Sequence, residues 1–562
     1  MNRIKTTLLV TIVFATTYFG VVRTIFLTQF DYFAYSSWGL AIEINRYFRL
    51  PLNHYVDCGI SWCNHPLNYQ YLFYPHVLLS IISQIATIPV EYSSLIIILL
   101  FTILTYMTLR QLTFLLFTSK MAEGITIYPY ILLYVLFVVS SLSGYPSFAF
   151  YYISIGMVTF WFILYLILRQ LTNPLQDKKA YMALILMFII TSNWSYYTST
   201  FLIGLFAASM YILLYVAKIF ISVLFGSREI DVIFRGKTPY ILIVSVISLG
   251  LLLYFNPIVT SLVMPPYDPL QALQRVFENI LESVVSQRAY SIIEIGDPIY
   301  PILSHISRLS SLLLVSLFLL SLLTLSLKKR HVGVNIVIVV MIIGSLLLSE
   351  IPFATVYLIM GMPTLHSYSM SIALIIIMFS SIVWLDALLK MLRGVLNISP
   401  KLVKVLGFLL VLLAILPTLS TFYRTLIYDE VSVNPVSPKF FHANAQHVTR
   451  YVAMFSSHDS SYASDGRTIA QLYYELAKLN KVTKITYNQF NKVLGNFSYS
   501  DCTSRNCFYI LAYMWKYVPF RGGSQLWEYQ PPLGNLFDFM TSKSLGKIYD
   551  DGMFIVINTF QQ

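Results

Sequence analysis

Long apolar runs recur from Leu8 to about residue 426, and they constrain this 562-residue chain more than any other feature. A run of roughly 18 or more residues with few charges is long enough to cross the hydrocarbon core of a bilayer as a helix. Composition agrees, with 57% hydrophobic residues, 11% charged residues and a mean hydropathy of +0.70. A soluble domain of this size has too little interior to hide so much apolar surface. The first run, Leu8 to Leu27, is too long for a cleavable signal and lacks a small-residue cleavage site. It is expected to remain as the first span.

Net charge is +12, and most of that excess sits in short clusters between apolar runs. These are Arg3 and Lys5; Arg110 and Lys120; Arg169, Lys178 and Lys179; Lys218, Arg228, Arg235 and Lys237; Lys328 to Arg330; and Lys390, Arg393, Lys401 and Lys404. The loops near 144–148, 193–197 and 351–365 hold no Lys or Arg. Basic clusters mark cytoplasmic loops, so alternation between the two sets predicts the topology. Spans are expected near 8–28, 92–117, 126–143, 149–170, 179–193, 198–222, 238–258, 303–326, 332–350, 366–388 and 402–423. The fold class is therefore mainly α: a polytopic membrane protein of about eleven helices, N-terminus inside and C-terminal region outside. Partners are membrane lipids, with no basic, aromatic-interleaved patch for nucleic acid.

The stretch 69–88 is left out of the spans because counting it would turn Lys178, Lys179 and Lys328 to Arg330 outward. Its polar residues His76, Ser80, Ser83, Gln84 and Thr87 recur at helical spacing on one face, which predicts a helix lying in the interface. The first outer loop then runs over 29–91 and a second over 259–302, both within a transmembrane module of residues 1–424. From 425 to 562 charges rise and short β-rich runs alternate with helical ones, predicting a small external α/β domain. The expected pieces are Ser461 to Asp465, Gly466 to Asn480, Lys481 to Tyr487, Cys507 to Trp515 and Met553 to Phe560.

All four cysteines fall in expected outer segments, as Cys58 with Cys63 and Cys502 with Cys507. Equal, close spacing reads as two local disulfides in an oxidising compartment. The alternative is a metal site, since His54 and His65 flank the first pair.

Asp31 stands just past the first apolar run, next to Tyr32, and the same loop closes on Trp62-Cys63-Asn64-His65-Pro66. A carboxylate there has a hydrated and an oily side, suited to a substrate with a polar head and a lipid tail. The plainer reading is an acid that ends a helix and faces water. On this plan the chain resembles the membrane-embedded GT-C glycosyltransferases that use polyprenyl-phosphate sugars, closest to the protein mannosyltransferase and lipid-A aminoarabinose transferase branch. In that branch the first outer loop has an acid near its start and a His-Pro or Pro-Pro pair near its end, where Asp31 and His65-Pro66 stand. Ala463-Ser464-Asp465-Gly466-Arg467 and Lys547-Ile548-Tyr549-Asp550-Asp551-Gly552 look like motifs of the external domains of such transferases. The resemblance implies transfer of a hexose from a polyprenyl or dolichyl phosphate to a protein, glycan or lipid acceptor in the cell envelope.

Two departures bear on mechanism. The loop Ser143-Gly144-Tyr145-Pro146-Ser147-Phe148 lacks the second acid many relatives carry, and Tyr32 replaces a further acid at the first site. The paired-acid metal site and the Trp-Trp-Asp-Tyr-Gly run of oligosaccharyltransferases are absent, which favours single-sugar transfer. No cofactor is expected, and a divalent metal is an alternative that the residues do not indicate. Asp31 is then the base that takes the acceptor proton, as in inverting glycosidases. Phosphate needs cations, and Arg288 and His366 are the candidates, with His65 and Tyr32 also assigned to substrate. Arg288 and His366 read equally as solvated loop residues. Arg23 within the first span reads as functional or as snorkelling to the headgroups. Pro265-Pro266-Tyr267-Asp268-Pro269 and Asp465-Gly466 are candidate substrate loops or plain turns. Asn193-Trp194-Ser195 and Asn496-Phe497-Ser498 match the glycosylation acceptor pattern. Competing functions are a transporter or flippase of lipid-linked saccharides, an oligosaccharyltransferase-like enzyme, and an inactive relative. No internal repeat or mid-span charge pattern favours a transporter.

Overall fold

The structure, a computed structural model, describes residues 32–48, 73–116, 151–172, 178–195, 197–225, 238–255, helical turns scattered over 302–320, 334–359, and the single positions 376, 399 and 405. Beyond these it describes 438–457, 460–464, 466–481, 506–512, 520–521, 528–529, 546–550 and 554–560. The described residues are mainly helical, as the sequence predicts. The first eight described helices are α1 (Tyr32–Tyr47), α2 (Phe73–Ala86), α3 (Val90–Leu116), α4 (Tyr151–Thr172), α5 (Lys178–Ser195), α6 (Tyr197–Phe225), α7 (Thr238–Phe255) and α8 (Val334–Ile359). Six expected spans coincide with α3 to α8 to within a few residues, except that α8 runs on to Ile359 through Pro352. Among the described residues, one helix is long and apolar enough to cross a membrane by length and hydropathy, the stretch Ser199–Val216 within α6. Shorter apolar stretches lie in α2, α4, α7 and α8. The count of about eleven spans is not carried by the described residues. The expected spans at 8–28 and 126–143, and nearly all of 366–388 and 402–423, lie outside them.

α6 is the hub of the bundle, packed against α4, α5, α7 and α8. Aromatic edges lock α4 to it, with Phe160 and Phe206 centroids 6.0 Å apart at 75°. α7 comes close because Gly204 presents no side chain. A Cβ there would lie 2.8 Å from Leu249, and the bare carbonyl accepts a hydrogen bond of 2.9 Å from Ser245. Small residues that let two backbones approach are the usual solution where helices pack without water. Hydroxyls inside the bundle bond within it: Ser192 and Ser199 meet at 2.5 Å, and Thr159 and Ser345 donate to carbonyls one turn back.

The C-terminal region starts with α9 (Pro438–Phe455), a helix that β-rich alternation does not signal. It is followed by β1 (Ser460–Ala463), α10 (Gly466–Lys478), β2 (Asn506–Ala512), β3 (Phe520–Arg521), β4 (Glu528–Tyr529), β5 (Gly546–Asp550) and β6 (Phe554–Phe560). The main sheet has the order β1-β2-β6-β5, with β1 parallel to β2 and the other pairs antiparallel. In register, Tyr462, Phe508 and Asn558 lie side by side, and the Tyr462 and Phe508 rings stack at 5.9 Å. α9 reaches β5 through Tyr451, whose ring lies 4.9 Å from Tyr549 and whose hydroxyl donates to Ile548 O at 3.2 Å. The strands expected near 461–465, 507–515 and 553–560 and the helix from Gly466 are present in slightly shifted form. The stretch 481–487 lies outside the described residues beyond Lys481.

Candidate functional site

α1 begins at Tyr32, the residue after Asp31, and its sequence is mostly apolar with Glu43, Asn45 and Arg46 near its end. Apolar Trp38, Leu40, Ala41 and Ile44 are buried, and so is Glu43, at 1% exposure. A carboxylate that deep must be satisfied. The Tyr473 hydroxyl, on α10 of the C-terminal region, donates to Glu43 Oε2 at 2.9 Å. Four residues earlier, Gly39 makes room for the same ring, since a Cβ there would sit 2.7 Å from Tyr473 Cε1. Trp38 tilts against Tyr474 at 5.8 Å between centroids.

At its far end α1 caps α10. Arg46 Nη1 donates to Ala477 O and to Asn480 Oδ1, both at 2.9 Å, and Tyr47 donates to Asn480 Oδ1 at 2.8 Å. A guanidinium on the last carbonyls satisfies orphan acceptors and complements the negative end of the helix. Asn480 itself takes the left-handed conformation that ends a helix (φ 59°). Lys481 repeats the device on α9, donating to Ala453 O, Met454 O and Ser456 O at 3.0, 2.7 and 3.0 Å.

The third party is the start of α3. Glu91, in its first turn, accepts a short hydrogen bond from Tyr474 and pairs with Lys478 at 3.2 Å, while the Lys478 ammonium sits 4.0 Å from the Tyr474 centroid. Glu475 lies beside this group. Burial pushes its carboxyl above the ordinary range and Glu91 adds to that, against Lys478 and Arg450, which pull it down. α2 completes the floor: Ser80 makes a short hydrogen bond to Asn45 Oδ1, and Gln84 donates to Asn45 O at 3.4 Å.

The polar stripe of α2 is split between two faces, with Gln84 and Thr87 exposed. His76, Ser80 and Ser83 are buried, while Ile81 and Ile85 are exposed, Ile85 at 80%. Burial lowers the His76 pKa to about 3, so the imidazole is neutral near neutral pH. The sequon reading of Asn193 is also corrected. Asn193 is helical and 3% exposed, and Ser195 is fully buried, so neither offers the accessible loop that glycosylation needs.

Of the residues assigned from sequence, Tyr32 opens α1, and Cys507 lies in β2 opposite Thr559. Asp31, His65, Arg288, His366, Cys58, Cys63 and Cys502 lie outside the described residues, as do Arg23, Pro265 to Pro269, Asp465 and Asn496. Among the described residues, no group of three or more His, Cys, Asp or Glu is placed to hold a metal ion. Glu43, Glu91, Tyr473, Tyr474 and Lys478 were not singled out by sequence. A lone Glu in an apolar helix and a Tyr-Tyr-Glu run were the only signals. No protein-family model matches the chain, and no curated protein matches it either.

Proposed function

We propose that this chain is a multi-pass membrane glycosyltransferase, with its N-terminus cytoplasmic and its C-terminal domain outside. It moves one sugar from a polyprenyl-phosphate donor to an acceptor hydroxyl, with inversion. The membrane part of this reading is supported by an inverted distribution of residues. On α3, Ile96, Leu100, Leu104 and Met107 are exposed along one flank, whereas Ser93, Ser94 and Thr108 are buried. α6 and α7 show the same, with Ile212, Val216, Leu242 and Val246 outward and Ser199, Thr200, Ser245 and Ser248 inward. Lipid on the outside and small polar contacts within account for that arrangement.

The observation that carries the catalytic reading is the anchoring of α1. The helix is 16 residues, or about 24 Å, long. Its end is tied through Asn480 and Lys478 to within reach of Glu91, in the first turn of α3. If α1 follows one span and ends beside the start of another, it lies along the surface and not upright from it. Asp31, at its start, is then held at the boundary of bilayer and water. The acids described on α1 and α3, Glu43 and Glu91, are both engaged by α10 and serve as anchors. Asp31 takes the proton of the acceptor hydroxyl as its oxygen attacks the sugar's anomeric carbon, and the bond to the phosphate oxygen breaks on the opposite face. The phosphate leaves ionised, held by Arg288 and His366, with His65 and Tyr32 lining the substrate.

The test is transfer from labelled polyprenyl-phosphate hexoses in reconstituted membranes. Asp31→Asn is expected to lose roughly 10²–10⁴-fold in turnover with donor binding intact, the usual worth of a positioned base. Arg288→Ala and His366→Ala are expected to weaken donor binding as well. Full transfer by the Asp31→Asn protein removes Asp31 as the base.

A further inference from the structure

The ends of three helices and the start of a fourth meet at one place. Tyr47 and Arg46 of α1 hold Asn480 beyond α10, Lys481 holds the last carbonyls of α9, and Lys478 holds Glu91 of α3. Around these polar ties the surface is apolar: Phe48 is 81% exposed, Phe455 66%, Met454 51% and Leu479 43%. Scattered exposed apolar residues are ordinary, but a group at one junction is not. Phe48 is doubly costly. Besides its exposed ring, its backbone is left-handed (φ 51°), where Gly or Asn would sit with less strain. Strain kept at an exposed aromatic points to a use for that ring.

We infer that Phe48, Met454, Phe455 and Leu479 form a foot by which the C-terminal domain rests in the headgroup layer of the bilayer. This rests on the reading of α3 as a span. The patch is continuous with that helix: Glu91 is tied to Lys478, and the next residue, Tyr92, opens the exposed flank that runs through Ile96, Leu100, Leu104 and Met107. A flank immersed in lipid and starting at Glu91 puts the foot at the level where aromatic and aliphatic side chains partition between headgroups and acyl chains. The foot fixes the domain against the membrane, and through Arg46, Tyr47 and Tyr473 it fixes α1.

The experiment places benzoylphenylalanine singly at 48, at 455 and, as a control, at 446, where exposed Gln446 lies more than two turns back along α9. The full chain is reconstituted in nanodiscs of radiolabelled phosphatidylcholine and irradiated. Lipid adducts at 48 and 455 several-fold above those at 446 are expected. Equal labelling at all three positions, or crosslinks at 48 and 455 only to peptides of the chain itself, overturns the foot. Carbonate extraction of the same sample separates the two ideas. A chain stripped from the bilayer sinks the membrane reading, whereas a retained chain without lipid adducts sinks only the foot.

Discussion

Gly39 shows how one missing side chain decides a contact between distant parts of the chain. Gly to Ala within a helix ordinarily stabilises by about 0.5–1 kcal/mol. Here a Cβ meets Tyr473 at 2.7 and 2.8 Å, so the ring must leave the line that brings its hydroxyl to Glu43. Gly39→Ala is therefore expected to destabilise by about 1–3 kcal/mol, the cost of overpacking, read as a lower thermal midpoint in detergent. A higher midpoint contradicts the packing. Glu475 makes the opposite kind of claim. Its folded-state pKa is raised, so its contribution to stability is full below the unfolded value and lost as pH rises through the folded value. Glu475→Gln should raise the midpoint near neutral pH, by the equivalent of about 1 kcal/mol, and leave it unchanged near pH 4. Neither position was legible in sequence. A glycine in a helix reads as a weak point, and the partner that explains this one lies 430 residues away from Glu43 along the chain.

Elements were more legible than their faces. The boundaries of α3 to α7 follow the apolar runs because helices there have no polar interruption to stop them earlier. The stripe on α2 was visible too, but periodicity gives the angle of a face and not its direction. Asn45, supplied by α1, turns Ser80 inward and the isoleucines outward. α9 was missed because it precedes the β-rich alternation and carries polar residues through its first turns. Burial of the α2 stripe has a pH signature. His76 is held neutral with a pKa of about 3, against an ordinary 6.5. A lowered histidine pKa gives stability that is full above 6.5 and lost as pH falls towards 3. Below pH 6.5 the wild type should lose about 1.4 kcal/mol per pH unit more than His76→Gln, which cannot charge. Parallel melting curves between pH 7 and 4.5 would remove His76 from the buried face.

At the scale of the molecule, the ties between α1, α3 and α10 restrict topology more than hydropathy does. If the chain crosses a membrane as proposed, Glu91 to Lys478, Glu43 to Tyr473 and Arg46 to Ala477 put α1, the start of α3 and the C-terminal domain on one side, whichever side that is. On the proposed topology the basic clusters at Lys178 and Lys179 and at Lys328 to Arg330 belong on the other side, and so does the end of α4 at Arg169. An even number of crossings must then separate residue 48 from residue 438, and an odd number must separate residue 91 from residue 178. Tags inserted after Asn173 and after Arg330 are expected to be accessible only from the cytoplasm. Tags after Arg49 and at Gln562 are expected to be accessible only from outside. Labelling the Arg49 and Gln562 tags from opposite sides is incompatible with the α1–α10 contact itself. Labelling the Arg330 and Arg49 tags from the same side would make 69–88 a crossing, which puts an odd number of crossings between residues 48 and 438 and parts α1 from α10. Labelling all four tags from the reverse sides leaves the contact standing and refutes only the assignment of the basic loops to the cytoplasm, so one set of four tags separates packing from orientation.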